Sequence, residues 1–176
     1  CGCGGGETGN AVQEQYRTLE TARLEAEVTS HTSTDSRTFT LLCSYDADGD
    51  AVTTVTAPGE LAGLTAVVSG TDMTLSSEGL QLPAGASLDI CPANCLPYLL
   101  RALADGYVLE QSSEALDDTP CLRLALDTTA PGGGKVLCAV WLDAEGLFPR
   151  YAEFSRNEQV VLTVKLLAFT CTTSEG

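Results

Sequence analysis

Between Arg37 and Cys171 the chain returns repeatedly to one pattern, a two-residue alternation interrupted by Gly, Ser and Asp turns. "RTFTLLCSY" sets Phe39, Leu41, Cys43 and Tyr45 against Thr38, Thr40, Leu42 and Ser44. Successive side chains of a strand face opposite ways, so this period predicts half-buried β-strands. "AVTTVTAP", "LTAVVSG", "DMTLSSEG" and "LQLP" follow, then "YVLEQSSEA", "CLRLALD", "KVLCAVWLD", "RYAEFSR" and "QVVLTVKLLAFTC". Joined by short turns, they predict one antiparallel sheet of about eight to eleven strands.

Two segments break the period. From Asn10 to Ala26, Val12, Tyr16, Leu19 and Ala26 recur at helical spacing. This predicts an amphipathic first helix, capped by Asn10 with Gln13 three residues on. Within "SLDICPANCLPYLLRALADGY", Leu96, Leu99, Leu100 and Leu103 mark one face of a second helix, stopped by Gly106. Pro92 suits a first turn, while Pro97 is expected to restrict or kink the helix. The helices do not alternate with strands in a βαβ rhythm, so the class is α+β.

The 176 residues suit one domain able to bury a core. Nine Lys and Arg stand against 24 Asp and Glu, a formal charge of −15. That field repels phosphate backbones, so nucleic acid is not an expected partner. It fits an extracellular protein kept soluble and monomeric by charge. No apolar run approaches the roughly 18–20 residues that cross a bilayer.

The first residues point to an envelope location. Cys1-Gly2-Cys3-Gly4-Gly5-Gly6 matches a bacterial lipoprotein after removal of its signal peptide: a lipidated Cys1 and a glycine-rich leash. The expected organisation is a tether over 1–9 and a single domain over 10–176, held on the outer side of the cell membrane by Cys1.

Eight cysteines agree with an oxidising compartment. With Cys1 lipidated and Cys3 on the leash, six remain and their full pairing stays open. No CxxC occurs and the sole histidine is His31, which disfavours zinc. No metal and no cofactor is expected. "DADGD" (Asp46–Asp50) spaces carboxylates like a calcium loop but lacks the distal glutamate, so a hairpin turn is expected.

The hairpin "CLRLALD"/"KVLCAVWLD" can be sorted into faces. Setting Cys121 opposite Cys138, as a disulfide, puts Arg123 across from Val136. Leu122, Leu124 and Leu126 then share the other face with Leu137, Ala139 and Trp141. In the last strand, Leu162 and Val164 sort together likewise. Two helices cannot cover so broad an apolar surface, which suggests a hollow beneath the sheet. Its expected lining is Leu41 from the first hairpin and Leu99 and Leu103 from the second helix. Leu122, Leu124, Leu126, Leu137 and Trp141 join them, with Leu162 and Val164 from the last strand.

The order of elements carries a resemblance. A Cys1 leash, an amphipathic helix, "SYDADGDAVTTVTAPGELAGLTAVVSG", a leucine helix and "AVWLDAEGLFPRYAEF" occur in that sequence. The most characteristic part is Trp141-Leu142-Asp143, a turn at Ala144–Gly146, then Pro149-Arg150 and Glu153. Over residues 10–171 the chain resembles the LolA/LolB-like lipoprotein carriers and their lipid-anchored Gram-positive relatives. The resemblance implies a curved, unclosed antiparallel β-barrel, a half-barrel, with helices over a concave face that receives acyl chains. No arginine here sits in a motif that would carry over that family's arginine roles.

Catalytic signatures are absent from the sequence. His31 lies in "TSHTSTDS", read as a solvated turn, and Asp143 and Glu145 flank a hairpin turn. "GGG" at 132–134 joins two strands, so it is a loop rather than a phosphate cradle. The expectation is a non-enzymatic, lipid-anchored protein that binds a lipid, acyl chain or other hydrophobic small molecule. The alternative is a module that docks an envelope protein partner.

Overall fold

Alternating burial at Ala22, Leu24, Ala26 and Val28, with Arg23, Glu25 and Glu27 exposed between them, makes the first long strand where a helix was expected. The computed structural model describes residues 5–70, 72–78, 80–85, 90–130 and 133–174. Helix α1 (Gly5–Arg17) ends before β1 (Leu19–His31) begins. Leu19 and Ala26 therefore belong to β1, and the helix starts inside the segment read as leash, with Asn10 in its interior. The mistaken reading arose because Leu19 and Ala26 satisfy both periods, whereas the run from Ala22 to Val28 satisfies only the shorter one. Val12, Gln13 and Tyr16 form the buried face of α1.

The remaining elements follow the expected order: β2 (Ser36–Asp46), β3 (Ala51–Ala57), β4 (Thr65–Ser69), β5 (Asp72–Ser77), β6 (Leu80–Gly85) and α2 (Cys95–Asp105). After α2 come β7 (Tyr107–Leu116), β8 (Thr119–Thr129), β9 (Lys135–Asp143), β10 (Pro149–Arg156) and β11 (Gln159–Thr173). All pairs are antiparallel, in the order β6-β5-β4-β3-β2-β1-β11-β10-β9-β8-β7. The first and last strands pair, so the sheet is a meander joined at its ends and opened between β6 and β7. It is curved and does not close into a barrel. Helix α2, on the chain between those two free edges, lies across the concave side.

Pro97 falls in the first turn of α2, where a missing N–H breaks no helical bond, so it does not kink the helix. Gly106 ends α2 by donating its N–H to Ala102 O. A side chain there would have Cβ 2.5 Å from that oxygen, which only glycine avoids. In the β2–β3 turn, Asp46 Oδ1 accepts from Asp48 N at 3.0 Å.

The β8–β9 register corrects one expectation. Cys121 stands opposite Asp143, and Cys138 opposite Leu126. The two cysteines are thiols on opposite faces of the sheet, not a disulfide. The loop closing at Thr129–Lys135, with Gly133 at φ +94°, sets this pairing. Asp143 lies five residues beyond Cys138, and an odd shift exchanges the faces. Leu122, Leu124 and Leu126 consequently share the concave face with Val136, Cys138, Val140 and Leu142. Leu137 and Trp141 lie on the convex face, so they do not line the interior.

Candidate functional site

Most of the hollow is filled. Leu99 and Leu103 from α2 and Leu124, Leu126, Leu162 and Val164 from the sheet are brought together, but packed against one another with almost no surface left. Leu122 joins the same cluster. Tyr98 reaches across from α2 to meet Phe154 edge-on, with ring centroids 5.7 Å apart. These side chains form the core of the domain rather than an open wall.

An opening persists where α2 does not reach, over β2 to β5. There a pocket of about 270 Å³ is lined from the sheet by Phe39, Leu41, Thr53, Val55, Ala66 and Leu75. Leu61 and Leu64 close one side. They are carried by the loop after β3, folded back through Val55 N to Leu64 O (2.8 Å) and Gly63 N to Val55 O (2.9 Å). The opposite wall is Cys91-Pro92-Ala93, ahead of α2. Asn94 fixes that wall by accepting the Cys91 N–H on its side-chain oxygen at 2.9 Å. Of the residues expected to line a cavity, Leu41 is the one that lines this pocket.

The lining is apolar apart from Thr53 and the Cys91 thiol. Thr53 is 2% exposed, and its hydroxyl completes no hydrogen bond. Burial pushes the nearby Cys43 thiol up to about 11, with Thr53 drawing it slightly back through a contact that stops short of hydrogen-bond geometry. Burial, then the neighbouring Cys91 and Cys43, also raises Cys95 well above the usual thiol range. Cys43 and Cys95, which lie outside the pocket lining, therefore stay neutral.

The remaining pocket residues went unrecognised in the sequence. Phe39 shares the alternation of Leu41 and carried a usable signal. Leu61, Leu64 and Cys91–Ala93 sit in irregular segments with no period to read.

The other candidate residues have structural work. His31 closes β1 with Nε2 3.3 Å from Thr163 Oγ1, rather than lying in a turn. Trp141 donates Nε1–H to Glu114 Oε2 at 3.0 Å, and Arg123 lies 5.3 Å from its ring centre. Asp143 Oδ1 accepts from Glu145 N (2.8 Å) and Gly146 N (3.2 Å), and Oδ2 from Arg150 Nη1 (3.1 Å). Those backbone donors, with Arg150 helping, hold its carboxyl below the usual range. Asp143 is thus a hairpin brace. Cys1 lies outside the described residues.

No protein-family model matches the sequence, and no curated protein matches it. Solved structures do. A LolA superfamily protein from Nitrosomonas europaea superposes with TM-score 0.52 at 12% identity, covering 98% of this chain and 96% of that one. The fold is LolA-like. LprF from Mycobacterium bovis agrees at TM-score 0.52 and 12% identity, over 96% and 93% of the two chains. A putative outer membrane lipoprotein-sorting protein domain from Vibrio parahaemolyticus gives 0.50 at 12%, over 97% and 92%. The expected half-barrel is borne out, and at these identities the likeness is one of fold. Among the described residues no helix is long and apolar enough to cross a membrane.

Proposed function

We propose that this protein is a lipid-anchored, extracytoplasmic, non-catalytic binder of a hydrophobic ligand, held at the membrane through Cys1. The observation that carries the reading is the apolar pocket over β2–β5. Its 270 Å³ lies just below the usual range of small-molecule sites, about 300–1,000 Å³. Such a space suits one acyl chain or a compact amphiphile, not a whole diacyl lipid. Affinity comes from apolar area withdrawn from water, about 25 cal/mol per Å². The shared fold with a LolA superfamily protein and a putative lipoprotein-sorting domain supports a hydrophobic cargo.

Ala66 faces the pocket from β4, so Ala66→Phe fills it from the sheet side. Titration with a fluorescent fatty acid, cis-parinaric acid, should give saturable binding in the native protein and none in the variant. Unchanged binding by a folded Ala66→Phe protein would overturn the assignment.

The filled interior around α2 favours a second reading, docking of an envelope protein partner. Native mass spectrometry of detergent-free protein separates the two: retained lipid supports the binder, an empty protein with a captured partner supports the module.

A further inference from the structure

We infer that the free sheet edge at the start of β7 is the surface that rests on the bilayer, with Tyr107 and Leu109 entering the headgroup layer. The inference depends on the anchored reading proposed above.

Tyr107 and Leu109 are the two most exposed large apolar side chains of the described residues, at 72% and 51%. Leu109 owes its position to a break in the ladder. Val108 pairs with Leu126 and Glu110 with Ala125, so Leu109 is an extra residue with no partner on β8. Such a bulge re-aims one side chain and twists an edge away from pairing. Here it turns a leucine outward beside an exposed tyrosine, whose amphipathic ring suits a membrane–water interface.

The position of α1 supplies the occupant. A Cβ built on Gly9 would lie 3.8 Å from Val108, between the two exposed residues. Helix α1 is described from Gly5, so only three residues lie between it and Cys1. The four steps from Cys1 to Gly5 span at most about 14 Å. An acyl group on Cys1 therefore keeps the amino end of α1 near the lipid, and with it the edge, which meets the helix from Gly9, beside Val108, to Gln13, whose Nε2 donates to Gly106 O.

The other exposed large apolar residues among those described are Leu137, Val160, Phe148 and Leu167, and Phe148 lies toward the carboxyl end of α1. Phe148 stacks on Phe169, which meets Tyr16, one residue before the helix ends. Seven residues of helix separate Gly9, beside Val108, from Tyr16, about 10 Å along the axis. Charge does not oppose the edge as strongly as the formal −15 suggests. Asp105 faces Arg17 at 3.9 Å, and Glu110 faces Arg123 at 3.5 Å.

Trp141 is the sole tryptophan, which makes the test direct. In a Trp141→Phe background, Leu109→Trp and Leu167→Trp proteins are prepared with their anchor, after mass spectrometry has confirmed acylation of Cys1. They are placed on phosphatidylcholine vesicles with brominated acyl chains. The indole at position 109 should lose most of its emission and the one at 167 should keep it. Equal quenching at both positions, or none at 109, overturns the inference, the bulge then serving only to blunt an edge. If Cys1 proves unacylated, the anchored reading fails by itself. A hexahistidine replacement of residues 1–4 on nickel-chelating brominated vesicles then decides the edge by the same comparison.

Discussion

Leu124 and Leu137 belong to one apolar stripe by sequence and to opposite faces in the structure, so truncating each to alanine tests the register directly. Leu124 on β8 is fully buried, against Leu137 on β9 at 39% exposed. Leu124→Ala removes three buried carbons, about 2.4 kcal/mol at about 0.8 kcal/mol each. The cavity left in a packed core adds to this, giving a cost of about 3–4 kcal/mol. Leu137→Ala should stay within about 0.5 kcal/mol, as surface changes do. With a urea slope near 2 kcal/mol per M, the first variant should lose about 1.5–2 M in midpoint and the second almost nothing. Urea unfolding of the ligand-free proteins, followed by far-UV circular dichroism, reads both. A cost below about 1 kcal/mol for Leu124→Ala would mean that it borders open space. Equal costs would refute the register itself.

Two further predictions follow from the cysteines and from the β9–β10 turn. Non-reducing peptide mapping should find no Cys121–Cys138 link, and Cys138, which burial pushes up to about 12, should resist alkylation in the native protein at pH 8; recovery of that link or rapid labelling would contradict the structure. Asp143 has a folded-state pKa below its unfolded one, so its contribution is present above the unfolded value and fades as pH falls through the folded value. Asp143→Asn should remove that part of the acid-range loss of stability while leaving neutral-pH ligand binding unchanged, as pH-dependent denaturation would show.

Strand and helix identity was largely legible because each depends on local periodicity. The alternation in "RTFTLLCSY" became β2, and the leucine spacing in "CLPYLLRALAD" became α2, closed by Gly106 where expected. The passage from α1 to β1 was misread because Leu19 and Ala26 are consistent with either period. The candidate pocket was legible through Leu41 alone. Leu61 and Leu64 reach it by the fold-back of an irregular loop, and Cys91–Ala93 by the position of α2.

What the amino-acid order determined by itself is a half-buried antiparallel meander with a greasy helix inserted midway, since side-chain alternation and helical spacing are properties of neighbouring residues. Only the tertiary structure decided which apolar face meets the helix and where space is left. A five-residue loop after β8 fixes the parity of β9, and the reach of α2 across the open sheet fixes what it fills. Both depend on contacts between segments far apart in the chain, and no local pattern encodes such distances.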